Sequence, residues 1–155
     1  EIGSGLVGSE MCIRDRLHMY ENGDTPYALI LIDVDTFKTV NDMYGHAVGD
    51  EILKKVTGLL KKAFRSIDHV CRIGGDEFAV IITENPNQVE ELIHSFDSNV
   101  ANWHGKFVDS MTVSYGWVFS TERNWGSAYE ISKAADARMY QSKERYYKES
   151  GADRR

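Results

Sequence analysis

The chain has 155 residues, enough for one domain with a real core and too few for two comfortable ones. With 42% apolar and 27% charged residues it has the balance of an ordinary soluble globular protein, and no apolar run approaches the roughly 20 residues of a membrane span. The formal charge of -6 argues against a binder of polymeric nucleic acid, which needs a basic face, and two cysteines are too few for a disulfide scaffold, so a cytoplasmic, reducing setting is expected.

Residues 1–16, EIGSGLVGSEMCIRDR, show neither a hydrophobic period nor a signal-peptide pattern. The stretch Leu6 to Arg16 resembles one translated frame of a transposon-based sequencing adapter. The segment 1–16 is therefore read as non-native and the domain as 17–155, with Cys12 outside it. Leu17 to Tyr20 suits the end of a helix, and Asn22 to Pro26 is a turn cluster. Tyr27 to Asp35 is apolar on both faces up to its acidic end, the pattern of a central strand. Asn41 to Gly49 holds two glycines and reads as a loop or short helical turn. Asp50 to Arg65 places Ile52, Leu53, Val56, Leu59, Leu60 and Ala63 at helical spacing, with lysines opposite. His69 to Ile73 and Phe78 to Thr83 make a hairpin tipped by Gly74-Gly75-Asp76-Glu77. A helix follows from Asn85-Pro86-Asn87 to about Ala101. Met111 to Ser120 is a strand carrying Met111, Val113, Tyr115 and Trp117 on one face, and Ser127 to Lys148 is a last helix with Ser127 as its N-cap. One sheet flanked by helices, α+β, is the expected architecture.

Chemistry concentrates in two acidic clusters. In Asp33-Val34-Asp35, residues i and i+2 of a strand share a face, so both carboxylates can stand at its carboxyl end. Close carboxylates repel unless a cation lies between them, and a hard cation such as Mg²⁺ (or Mn²⁺) prefers oxygen ligands. A solvated acidic strand end is the plain alternative. At the hairpin tip, Gly74 and Gly75 permit positive φ and leave no side chain in the way of a ligand, with Asp76 and Glu77 following. A tight turn with solvated acids is the plain alternative here. Two acid pairs on adjacent strands, converging on one metal beside a glycine turn, suit phosphoryl or nucleotidyl transfer. Cys71 reads as a small buried hydrophobe and His46 as a loop-ordering residue.

These residues also carry a family resemblance. Arg72-Ile73-Gly74-Gly75-Asp76-Glu77-Phe78 holds a complete GGDEF signature. Asp33 to Asp42 (DVDTFKTVND) resembles the first acidic motif of the GGDEF diguanylate cyclases, Gly45 to Asp50 (GHAVGD) their GHxxGD segment, and Ala134 to Tyr140 (AADARMY) their last-helix run. The likeness covers 17–148 with the motifs in order, and implies a palm-like nucleotide cyclase fold with a mostly antiparallel sheet. It implies an enzyme that condenses two GTP into cyclic di-GMP and two pyrophosphates, with Mg²⁺ or Mn²⁺, across a homodimer whose fused sensor domain is not in this chain.

The resemblance also assigns roles. Asp33 and Asp76 would hold the metal with help from the Val34 carbonyl. Glu77 would act as a further ligand or favour deprotonation of the attacking 3′-hydroxyl, the split between Asp76 and Glu77 staying open. Gly74 and Gly75 would let the backbone approach GTP. Phe37, Lys38 and Lys143 would meet phosphates, and Asn41 and Asp50 would read guanine. Asn41 is equally a turn residue and Asp50 equally an N-cap for the helix after it. Tyr147 stands where the family often has a second basic residue, with Arg145 and Lys148 nearby. Arg65-Ser66-Ile67-Asp68 lies at the family's offset before the glycine pair, which implies an inhibitory product site for cyclic di-GMP. The family's Asp-x-Leu-Thr-Gly-Leu-x-Asn-Arg segment is missing before Leu17, so this chain is expected to be weakened in stability and GTP binding. The membrane status of the parent protein is left open. The alternatives are an idle domain that serves as a cyclic di-GMP receptor, or a GTP-sensing regulator of a neighbour such as a phosphodiesterase.

Overall fold

The structure is a computed structural model and describes residues 15–18 and 25–151. Most of the adapter-like run, the turn cluster at 22–24 and the extreme C-terminus lie outside the described residues.

Four strands make one antiparallel sheet. They are β1 (Ala28–Val34), β2 (His69–Arg72), β3 (Glu77–Ile82) and β4 (Val113–Phe119), in spatial order β2-β3-β1-β4. β1 is central because every residue in ALILIDV is buried. Its side chains alternate between two cores, as the period of two requires. Ala28, Ile30, Ile32 and Val34 face one core and Leu29 and Leu31 the other.

Helices α1 (Phe37–Tyr44), α2 (His46–Ala63), α3 (Val89–Ala101) and α4 (Ala128–Ser150) are the longer helices among the described residues; residues 15–18 are also helical, and a 3-10 turn at Pro86–Gln88 leads into α3. α2 brings Ile52, Leu53, Val56 and Leu60 to the first core, and α3 adds Val89, Ile93, Phe96 and Val100. α4 covers the opposite face with Ile131, Ala135 and Met139, where Leu17 is also buried. Ser127 caps α4 as expected, accepting a hydrogen bond from the Glu130 N–H, while the Glu130 carboxylate returns to the Gly126 N–H. Gly116 lets α4 lie directly on β4: a Cβ there would stand 2.2 Å from Met139 N and 2.5 Å from the Ala135 carbonyl oxygen.

Two expectations are corrected. The stretch from Asn41 is not a loop up to Gly49. Residues 37–44 form α1, Gly45 breaks the chain at φ 89°, and α2 already begins at His46. Asp50 therefore sits inside α2 and is not its N-cap, a position held by Gly45. No helix among the described residues is long and apolar enough to cross a membrane.

Candidate active site

The ladder between β1 and β3 brings the two acidic clusters together. Asp33 faces Glu77 in register, and the Val34 N–H donates to the Asp76 carbonyl at 3.1 Å. The hairpin tip is therefore tied to the end of β1. Arg72 secures it from the other side by donating to the Gly75 carbonyl from Nε and Nη2. Neither Gly74 nor Gly75 uses a positive φ. What Gly75 supplies is space: an added Cβ would meet nothing within 4 Å.

Asp33 is buried, and its two oxygens have different surroundings. Oδ2 accepts from Lys143 Nζ of α4 at 2.5 Å. Oδ1 receives no donor among the described residues. A buried carboxylate oxygen without a donor is costly, and a cation is one way to satisfy it. Asp76 senses the same crowding. Burial first, and then the Asp33 carboxylate beside it, push the Asp76 carboxyl up to about 7. Burial lowers the Lys143 ammonium's affinity for its proton, but the Asp33 carboxylate outweighs this and holds its pKa above the ordinary lysine value.

Asp35 departs from the expected side-by-side arrangement. Its carboxylate accepts from Ser114 Oγ at 2.6 Å and Thr112 Oγ1 at 2.8 Å, so it fastens the approach to β4. Burial raises its pKa despite these two donors. No group of three acids or imidazoles converges into a ready metal cluster among the described residues. The arrangement is a carboxylate pair, Asp33 and Asp76, with Glu77 adjoining. That pair suits a hard divalent cation: it offers an unsatisfied buried oxygen and a carboxyl that resists ionising beside its neighbour.

The turn from β1 into α1 is strained. Thr36 takes φ 58°, ψ 18°, a left-handed conformation rare for a β-branched residue and worth about 1–3 kcal/mol of strain. The N–H groups of Phe37, Lys38 and Thr39 follow it with no backbone acceptor among the described residues. Successive N–H groups after a left-handed residue form a concavity that attracts anions. Lys38 is exposed beside it, and Lys143 reaches the same end of the sheet from α4.

The packing of α1 on α2 brings Asn41 against Gly49, the residue before Asp50. The Asn41 side chain lies over Gly49, where a Cβ would come within 1.8 Å of Asn41 Oδ1. That oxygen is buried and receives no donor among the described residues, while Asp50, the next residue, is exposed. An unfilled acceptor next to an open carboxylate is what a base with adjacent N–H donors needs.

Arg65 and Asp68 lie apart from this site and are engaged with each other. Arg65 donates to Asp68 from Nε, from Nη2 and from its backbone N–H, and further to the Glu84 carbonyl and Gln88 Oε1. The Asp68 side chain is fully covered, and about a quarter of the Arg65 side chain (26%) is exposed. Tyr147 was marked in the sequence only by the charge it lacks. Its hydroxyl accepts the Thr36 N–H at 3.3 Å, a contact across 111 residues. Its position one turn after Lys143 on α4 was the available signal.

Comparison with known proteins gives the family and the fold. The family model described as "Diguanylate cyclase, GGDEF domain" matches residues 12–148. The chain is 35% identical over 126 residues to the probable diguanylate cyclase DgcT of Escherichia coli, covering 77% of this chain and 28% of that protein. It is 35% identical over 127 residues to the response regulator PleD of Caulobacter vibrioides, covering 78% of this chain and 28% of PleD. The chain thus spans under a third of the length of either relative. Among solved structures, the GGDEF domain of DgcB from Caulobacter crescentus, in complex with c-di-GMP, superposes with a TM-score of 0.80 at 25% identity over 92% of this chain and 87% of that one. The GGEEF domain of a Vibrio cholerae diguanylate cyclase, at 19% identity and a TM-score of 0.79 over 90% of this chain and 92% of that one, shares the fold. With the motifs, the sheet order and the family model in agreement, the chain belongs to the GGDEF domain family of diguanylate cyclases.

Proposed function

We propose that the chain is the catalytic domain of a diguanylate cyclase, joining two GTP into cyclic di-GMP with release of two pyrophosphates. The observation that carries this is the pairing of Asp33 with Asp76 at the glycine tip, with one buried oxygen unsatisfied and one carboxyl resisting ionisation. Each protomer binds one GTP. Asn41 Oδ1 and the Asp50 carboxylate take the guanine N–H groups. The Phe37 and Lys38 N–H groups, with Lys143, take the terminal phosphates. Asp33, Asp76 and the Val34 carbonyl hold Mg²⁺ or Mn²⁺, and Glu77 completes the acidic site or favours loss of the 3′-hydroxyl proton. The cation, when bound, neutralises phosphate charge and lowers the pKa of the attacking hydroxyl. Gly74 and Gly75 leave room for the nucleotide beside the backbone.

Two protomers meet with twofold symmetry. Each 3′-oxygen forms a bond to the α-phosphorus of the other GTP, and the bond from that phosphorus to pyrophosphate breaks. The protein's contribution is positioning and charge placement. Arg65 and Asp68 are read as the site where product feeds back.

The test is to incubate the chain at high concentration with GTP and Mg²⁺ and chromatograph the products, beside Asp76→Asn. Cyclic di-GMP from the wild type and none from the variant is expected. Tight binding of cyclic di-GMP without turnover would make the chain a receptor, and GTP binding without product would make it a regulator.

A further inference from the structure

Tyr147 occupies a backbone donor that a phosphate needs. We propose that its hydroxyl is a placeholder for a phosphate oxygen at the turn from β1 into α1, so that Tyr147 sets the affinity of the site for polyphosphate. The inference rests on reading that turn as the phosphate end of a guanine nucleotide.

The contact is built from three features. Thr36 is left-handed at the start of α1, and successive N–H groups around such a residue are the elements of an anion-binding concavity. The Thr36 N–H already has an acceptor, the Tyr147 hydroxyl at 3.3 Å, whereas the N–H groups of Phe37, Lys38 and Thr39 have no backbone acceptor among the described residues. Tyr147 is itself buried, its ring set edge-on against Tyr146 and 6.0 Å from the Lys143 ammonium. The hydroxyl is thus held in place, and it is uncharged where a cation would add attraction.

A backbone N–H makes one good hydrogen bond. A phosphate oxygen that takes the Thr36 N–H must displace the tyrosine hydroxyl. Lys143 is partly engaged as well, since one of its three N–H donors is held by Asp33. In the free protein two donors at the phosphate end are therefore satisfied internally. Removing the hydroxyl while keeping the ring leaves the Thr36 N–H unsatisfied in the free state and costs the bound state nothing at that donor. Affinity for polyphosphate should then rise by the worth of one hydrogen bond, roughly two- to tenfold.

The experiment compares wild type with Tyr147→Phe by calorimetric titration, using Mg²⁺-tripolyphosphate, the Mg²⁺ complex of a non-hydrolysable GTP analogue, and guanosine and adenosine. The expected result is a two- to tenfold lower Kd for both polyphosphates in the variant and no change for the nucleosides. In ¹⁵N spectra, tripolyphosphate should shift the Thr36 amide in both proteins. Equal or weaker polyphosphate binding by the variant overturns the proposal, as does a Thr36 amide that ignores tripolyphosphate. If guanosine is bound no better than adenosine while the tripolyphosphate gain persists, the role of Tyr147 stands and the guanine reading fails. If neither polyphosphate binds either protein, both fall.

Discussion

Asp76 is the residue whose chemistry is easiest to interrogate without substrate. Its carboxyl is raised to about 7 in the fold against an ordinary 3.8, by burial first and by the Asp33 carboxylate next. Between those values the folded chain keeps a proton that the unfolded chain releases. Its contribution to stability is therefore complete below about pH 4 and declines as pH rises to about 7. Asp35 and Asp97, both raised chiefly by burial, act in the same direction, while Lys143 opposes the effect at Asp76. The difference between wild type and Asp76→Asn isolates the Asp76 share. Thermal melts without divalent cation should show the wild type losing stability relative to Asp76→Asn across that window. Mg²⁺ should restore it more at pH 8 than at pH 5, because the cation takes the place of the proton. A pH-independent difference between the two proteins would remove Asp76 from the crowded pair. Arg65 offers the opposite case. Deleting its side chain leaves the covered Asp68 carboxylate without a cation and with only the residue-65 backbone N–H, so Arg65→Ala should cost about 3 kcal/mol of stability whatever it does to product inhibition. Urea unfolding of Arg65→Ala measures that cost, and a loss under 1 kcal/mol would show that the pair is only a surface contact.

At the scale of elements, two glycines fix which helices touch what. Gly116 on β4 lies under backbone atoms of α4, and backbone cannot move aside as a side-chain tip can. Gly116→Ala should therefore lift α4 from the sheet and destabilise the chain by about 1–3 kcal/mol or more, measured by denaturant unfolding. Gly49→Ala meets a movable neighbour, the Asn41 amide at 1.8 Å, so the fold should survive while Asn41 is pushed from its place. The expected readout is a guanine-nucleotide affinity lowered at least as far as in Asn41→Ala, with the unfolding midpoint little changed. The legibility of the sequence follows the same division. β1 and β3 could be read because each is apolar apart from the acid at its site end, Asp33 and Glu77, and α4 because Ser127 and Glu130 mark its start. α1 was hidden because it is eight residues long, buries none of them fully, and carries Thr39, Asn41 and Asp42 among its apolar positions. The acids of the site could be named from spacing and resemblance. Their partners could not, since Lys143 meets Asp33 across 110 residues and Asp35 turns to Ser114 across 79. Pairings of that range are made by the sheet order and the packing of α4, and no local pattern carries them.

For the whole molecule, the proposed reaction has a stoichiometric consequence. In the proposed arrangement the described residues of one chain supply one Asp33/Asp76 pair and one Asn41/Asp50 pair, which would hold one GTP. The cyclic product needs two 3′-hydroxyls and two α-phosphates. A single protomer therefore holds half of the reactants, and the second half must arrive on another. Where monomers dominate, product formation should rise with the square of protein concentration, so the rate per protomer should climb and then level off as dimers fill. Adding Asp76→Asn protomers at the plateau, with wild type held constant, should depress the wild-type rate, because mixed pairs carry one damaged site. A monomeric enzyme would give a flat rate per protomer and would ignore the added variant. The dependence on concentration and the interference by the variant arise from the same geometry, so the proposal requires both: one without the other would mean that the two sites do not face each other in a shared reaction.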